Sequence, residues 1–502
     1  MITTDIHKGN WGSKIFKNGI WYVISSLFTK GLSIFLLPIY THYLSVEEYG
    51  ILQTLIAFVG ILPMFISLAL DSAFGRLFHD YKKSKKQVAV LLSTIYWFIL
   101  AYGFIIIFLF IVSSSFWFEN LFEVPSYPYI YIAFIPVLLI QLSILGRSIL
   151  AATLKTKKLA TIDAISSIIG GLISVLLMAN WHLGIIGRLS GMALASVYLI
   201  IYYTFYLVKN EYLIFVFSKK IFVESISYSA PLIPYVASVW IGTLSDRLIL
   251  SFYGGFEKVG IYSLAFQLST IIYILGDGLT RVTNVLITSG LIADNEKTKQ
   301  NITNYAFITW IFMLTGVFGI FLFAKELVWL LASKAYGGAY AIIPIITITY
   351  VFGIQSRFFT DILSVYKKTG LITLGIILSA SFNLIFNLIF IPFFGVLGAA
   401  LATAFSGFLA FIFYYFKSQK IIQIDFLINK MVSNFIFILT FVAAINYSGI
   451  NDFVSVGNFI IKICIYLVCL VLLFSLNKTK INHFIKDNFN NSKIAERNIF
   501  RK

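Results

Sequence analysis

The chain has 502 residues, of which 59% are hydrophobic and only 12% charged, and its mean hydropathy is +0.90. A soluble chain carries roughly a quarter charged residues, so a string of water-soluble domains is excluded. Lys and Arg number 38 against 21 Asp and Glu, a formal charge of +17; with no soluble domain to hold it, the excess reads as the basic face of a multi-span membrane protein, with no nucleic acid as partner.

Lys8, Lys14 and Lys17 precede the first apolar run. That run is too long for a signal-peptide core, contains Lys30 and lacks a small-residue cleavage site, so it reads as the first membrane helix. A helix needs about 20 apolar residues to cross the hydrocarbon. Runs of that kind lie at 15–40, 49–71, 88–113, 128–152, 159–180, 187–208, 226–251, 259–285, 304–324, 340–365, 369–392, 396–416, 431–449 and 457–475. Barrel strands need only about ten residues of alternating polarity, so the run lengths select helices.

Basic residues test the count of fourteen. With the N-terminus inside, the inner segments and the tail hold 27 Lys and Arg, including Lys82, Lys83, Lys155, Lys157, Lys158, Lys367 and Lys368, whereas the outer loops hold only Lys258, Lys325 and Lys334. Omitting one span would reverse every later loop and erase this asymmetry. The predicted fold class is an all-α polytopic membrane protein of fourteen transmembrane helices, with both termini cytoplasmic.

The sequence also repeats. Tyr43-x-x-x-Glu47-x-x-Gly50-Ile51 matches Tyr253-x-x-x-Glu257-x-x-Gly260-Ile261; Arg147 and Lys157-Lys158 match Arg357 and Lys367-Lys368; Gly184 and Gly187 match Gly395 and Gly398. The offset, 210–211 throughout, lays helices 1–6 on helices 7–12. Six spans per unit keep the same orientation, so the halves should relate by an axis along the membrane normal. The domains expected are an N-lobe at 1–214, a C-lobe at 215–424, helices 13 and 14 at 425–476, and a basic cytoplasmic tail at 477–502.

Ionisable side chains cost at least ~2.5–3.5 kcal/mol at mid-helix and therefore face a cavity or a partner. Eight basic residues fall in or at the ends of spans: Lys30, Arg76, Arg147, Arg188, Arg247, Arg281, Arg357 and Lys462. Acids accompany them, at Asp71, Asp163, Asp246, Asp277 and Asp361. The plain reading is mutual neutralisation, because Asp277/Arg281 and Arg357/Asp361 are i, i+4 pairs, and Arg76 and Lys462 can snorkel. Lys30 and Arg147, however, have no acid three or four residues away. A cationic cavity for an anionic substrate follows, with Lys30, Arg147, Arg247, Arg281 and Arg357 as its substrate-binding residues. Asp71, Asp246, Asp277 and Asp361 are charge partners or coupling-ion candidates. Cys464 and Cys469 share one apolar run, the five histidines are scattered, and no P-loop or G-x-S-x-G occurs. No metal, no cofactor and no catalytic residue is therefore expected, and coupling to H⁺ or Na⁺ stays open.

Several segments resemble the Wzx-type polysaccharide flippases. They are Leu37-Pro38-Ile39-Tyr40-Thr41-His42-Tyr43-Leu44-Ser45 with Glu47-Glu48-Tyr49-Gly50; Asp71-Ser72-Ala73 with Arg76; Ala230-Pro231 with Pro234; Asp246-Arg247 with Val259-Gly260-Ile261-Tyr262; and Asn383-x-x-x-Asn387 followed by Ile391-Pro392-x-x-Gly395-x-x-Gly398. The resemblance covers about residues 10–475. It implies the multidrug/oligosaccharidyl-lipid/polysaccharide exporter fold, a V of two six-helix lobes. It implies a flippase, not an enzyme, in the bacterial inner membrane, moving an undecaprenyl-diphosphate-linked oligosaccharide to the outer leaflet for O-antigen, capsule or exopolysaccharide synthesis. Membrane lipids, a polysaccharide polymerase and a chain-length regulator complete the expected partners. The alternative is a cation-coupled small-molecule antiporter of the related MATE family. Helices 13 and 14 and the deep lysine weigh against it. A membrane glycosyltransferase would need larger outer loops.

Overall fold

The structure is a computed structural model that describes residues 27–122, 124, 126–292, 296–450, 455–480 and 482. Ten helices within these residues are long and apolar enough to cross a membrane, and a bent pair, Lys334–Ala341 with Ile343–Val365, adds another. Two of the ten are double: the helices Ile233–Ile292 and Thr369–Gln419 are interrupted by the non-helical glycines Gly255 and Gly395. Residues 27–43 are also helical but for a turn at Leu36. With these counted, all fourteen predicted spans are present in order.

They are α1 (27–43), α2 (Val46–Ser67), α3 (Lys85–Val112), α4 (Tyr129–Ala152), α5 (Thr156–Ala179), α6 (Gly184–Lys209), α7 (233–254), α8 (256–292), α9 (Glu296–Leu331), α10 (Ile343–Val365), α11 (369–394), α12 (396–419), α13 (Ile428–Ser448) and α14 (Val456–Leu476). Residues 15–26 of the first predicted span lie outside the described residues. The lysine clusters sit at alternate connections: 82–86, 155–158, 209–220, 366–368 and 417–430.

One predicted span is corrected. The second, 49–71, ends early: Leu68 and Ala69 both adopt left-handed φ (47° and 58°), and the separate helix Leu70–Tyr81 follows. Two successive non-glycine residues in that region carry strain of order 1–2 kcal/mol each. The seventh, 226–251, lies within an apolar helix that runs on from Lys219. Around Pro231 the helix tightens into the 3-10 turn Ala230–Leu232, because proline cannot donate into the preceding turn; the backbone stays right-handed on either side.

The chain divides into two compact units. One comprises Met1–Ser263, Leu331–Tyr336 and Asn383–Ala399; the other comprises Leu264–Leu330, Gly337–Phe382 and Ala400–Lys502. In the first, small residues let helices close up, as is usual where lipid gives no hydrophobic drive between helices. A Cβ on Gly191 of α6 would lie 2.1 Å from the Ser174 hydroxyl and 2.6 Å from the Gly170 carbonyl of α5. The internal repeat reappears as a reciprocal contact. A Cβ on Gly50 would meet the Phe256 carbonyl at 1.8 Å, and one on Gly260 would meet the Val46 carbonyl at 2.2 Å. Positions 46 and 256 are themselves repeat equivalents, so each copy of the motif seats its glycine on the other's backbone.

Both copies start a helix at this corner, by different means. Ser45 caps α2 in a capping box: its hydroxyl accepts from the Glu48 N–H at 3.1 Å, and the Glu48 carboxylate accepts from the Ser45 N–H at 2.9 Å. Its equivalent, Gly255, has φ 78° and simply turns the chain. Gly184 and Gly395, another equivalent pair, both have positive φ (47° and 54°). The offset drifts elsewhere. The α4–α5 turn has Leu154 at φ 57° and the α10–α11 turn has Lys367 at φ 56°. Lys367-Lys368 therefore lies in its turn, whereas Lys157-Lys158 lies inside α5.

In the second unit α13 and α14 dock on α9. Trp310 Nε1 donates to the Met431 carbonyl at 3.0 Å, and Phe318 lies against both Phe441 and Tyr466. Asn434 and Asn477 exchange side-chain hydrogen bonds across the hairpin.

Replacing Gly50 with Ala should destabilise the protein by about 1–3 kcal/mol, because a backbone carbonyl cannot step aside as a side chain can. Gly242, where an added methyl would have nothing within 4 Å, should tolerate Ala. Thermal unfolding of the two purified variants in detergent checks the contrast.

Candidate charged sites within the membrane helices

On α8, Tyr273, Asp277, Thr280 and Arg281 recur at helical spacing and share a face. Asp277 is the hub. One carboxylate oxygen takes Arg281 Nε and Nη2, each at 3.0 Å. The other accepts from Arg357 Nη1 of α10 in a very short ion pair. Arg357 also donates from Nη1 to the Thr280 hydroxyl at 3.3 Å and from Nη2 to the Tyr273 hydroxyl at 2.8 Å, with its guanidinium over the Tyr273 ring. Two cations thus share one anion. Asp277 is nearly enclosed (7% exposed) but each arginine keeps 35% of its side chain open. The i, i+4 pair Asp277/Arg281 forms as the spacing predicts. The second predicted pair does not: the ion pair of Arg357 is to Asp277, on the neighbouring helix, while Asp361 stays half-buried one turn further along α10. Asp277 projects from α8 toward α10, and its second carboxylate oxygen, not used by Arg281, takes Arg357.

Asp246 and Arg247 of α7 make a buried pair at 3.0 Å, exposed by only 2% and 5%. Arg247 also donates to the Thr243 carbonyl at 2.7 Å, and the Tyr262 hydroxyl donates to the other Asp246 oxygen. Arg147 of α4 meets Asp163 of α5 at 2.9 Å. Sequence spacing on one helix misses this partner, because it arrives through the α4–α5 turn. Arg188 lies over the Tyr40 ring, 4.7 Å away, and donates to the Ser174 hydroxyl at 3.2 Å. Lys30 is half-buried on α1. Asp71 is half-buried at the start of the helix Leu70–Tyr81, where its charge suits the positive helix end. Arg76 pairs with Asp80 on the exposed face of that helix.

Lys462 departs from its predicted role. It does not snorkel: it is 0% exposed, and its ammonium sits 2.7 Å from a carboxylate oxygen of Glu326. Sequence reading places Glu326 in an outer loop, but α9 runs on to Leu331 and carries it inward. The pair ties α14 to α9. The Asn383–Asn387 motif is likewise buried, with the Asn387 amide donating to the Asn383 side-chain oxygen at 3.0 Å inside α11.

With this arrangement in view, three comparisons are informative. The solved structure of the lipid II flippase MurJ in an inward closed conformation superposes with a TM-score of 0.73 at 20% identity, over 91% of this chain and 99% of that one. An inward-facing multidrug resistance MATE transporter of the MOP superfamily gives a TM-score of 0.59 at 13% identity, over 79% of this chain and 95% of that one. Among curated relatives, Lsg locus putative protein 1 of Haemophilus influenzae is 22% identical over 398 residues, or 77% of this chain and 95% of the relative. The class defined is an α-helical multi-span membrane protein with the fold of these two structures. The family model for polysaccharide biosynthesis proteins matches residues 15–276, and the chain belongs to that family. The Wzx-type resemblance in its motifs is thereby confirmed at the level of family and fold.

Removing the hub should cost more than removing a spoke. Asp277→Ala leaves two guanidiniums without their anion and is expected to lose on the order of 3 kcal/mol; Arg281→Gln, at a third-exposed position, should lose under half of that. Thermal unfolding of both variants measures the difference.

Proposed function

We propose that the chain is a flippase for an undecaprenyl-diphosphate-linked oligosaccharide, acting by alternating access in the bacterial inner membrane and serving surface-polysaccharide synthesis. The observation that carries this reading is the arginine pair on one aspartate: Arg281 and Arg357 share the Asp277 carboxylate within membrane helices, with a third of each side chain still open. A guanidinium can grip a diphosphate through two parallel N–H donors while its other donors keep their partners. Family membership supplies the polysaccharide context. Lys30 and Arg147 complete the substrate set, and Arg247, buried against Asp246 in this conformation, joins it only where the helices rearrange. Asp71 and Asp361 are the carboxylates we assign to H⁺ or Na⁺ coupling. The basic connections face the cytoplasm in this reading, as the positive-inside rule requires. A polymerase and a chain-length regulator would take the product onward.

Deletion of the gene should leave diphosphate-linked repeat units on the cytoplasmic face, recovered by lipid extraction; unchanged lipid pools with altered drug tolerance would favour the antiporter. Lys30→Ala and Arg281→Ala should abolish glycan export while the protein stays in the membrane, and full complementation by both would remove these residues from the site. A cysteine introduced at Ser84 should label from the inside and one at Ser455 from the outside; the reverse pattern would invert the topology.

A further inference from the structure

A second basic region is built from other residues than the arginine cluster. The α4–α5 turn and the facing side of α6 enclose a surface cavity of about 450 Å³, lined at one end by Lys155, Lys157 and Lys158 and at the other by Ile162 and Ile165. Its lining contains no acid. Asp163, the next acid along the chain, is engaged by Arg147 at 2.9 Å.

The lysines are positioned by the fold. The left-handed Leu154 ends α4, and the Lys155 N–H closes the turn onto the Leu150 carbonyl at 2.9 Å. Lys155 Nζ then reaches the Tyr206 hydroxyl at 3.0 Å. The Lys158 ammonium sits over the Tyr206 and Tyr202 rings, 4.4 Å and 5.5 Å from their centroids. Aromatic faces hold these ammonium groups by cation–π attraction and limit their rotamers, so less ordering remains for a ligand to impose. Three positive charges gathered at one end attract a phosphate. The apolar floor that continues down the α5 and α6 faces attracts an acyl chain.

We propose that this cavity binds the phosphate headgroup of an anionic phospholipid from the leaflet at the lysine-rich end of the helices. Both a lipid headgroup and free phosphate supply the anion. The polarity gradient from Lys155 to Ile165 selects the lipid, because free phosphate has no use for the apolar half. None of its lining residues is among those assigned to the transported substrate, and it stands whether or not that substrate is confirmed.

The test is native mass spectrometry of the full-length detergent-solubilised protein titrated with phosphatidylglycerol. One lipid should be retained per chain, and the variant K155Q/K157Q/K158Q should retain it at least ten-fold less well. K158Q alone should weaken retention several-fold, and K367Q/K368Q, in the corresponding turn of the other half, should leave it unchanged. Phosphatidylcholine should not substitute. Equal retention by wild type and the triple variant, equal retention of phosphatidylcholine, or displacement of phosphatidylglycerol by millimolar inorganic phosphate would each overturn the assignment.

Discussion

Hydrocarbon offers no hydrogen-bond partner and no dielectric shelter, so each backbone amide and each charge that enters it must find its counterpart in the protein. That constraint organises the whole chain. It makes the spans helical, and it accounts for the dense pairing of the charges they carry. Asp277 holds two arginines, Arg147 finds Asp163 on the next helix, Asp246 and Arg247 close on each other with Tyr262, and Lys462 is buried only because Glu326 meets it.

Satisfaction is not uniform, and the difference is where chemistry can occur. The Asp246–Arg247 pair is sealed and behaves as a structural joint. In the Asp277 cluster two arginines share one carboxylate, and a third of each arginine side chain stays open. The proposed diphosphate contact rests on that exposure, since open donors already held by partners need little further ordering.

Much of the fold was legible because hydropathy is cumulative: a run of twenty apolar residues survives many local irregularities. The span count, the basic alternate connections and the repeat all rest on such long-range sums. What escaped was local or three-dimensional. The left-handed Leu68-Ala69 break has no glycine to announce it. Glu326 looked like a loop residue because α9 overruns its apolar core by several residues. Arg147 looked solitary because periodicity on one helix cannot see Asp163 on the next, and Arg357 changed partner for the same reason. Glycine was the better guide: Gly50 and Gly260, singled out as repeat matches and in the family-like segments, mark a reciprocal backbone contact.

The buried Lys462–Glu326 pair has a consequence for how the protein is made. Its two members are 136 residues apart in the chain. At ordinary ribosomal speeds of about 5–20 residues per second, Glu326 is synthesised on the order of ten seconds before the lysine that answers it. Among the described helices, α14 therefore completes the interior of one made much earlier. A chain stopped after α13 is unfinished, with a carboxylate stranded among its membrane helices. Quality-control proteases that survey membrane helices for exposed charge would have a ready signal for telling the truncated product from the finished one.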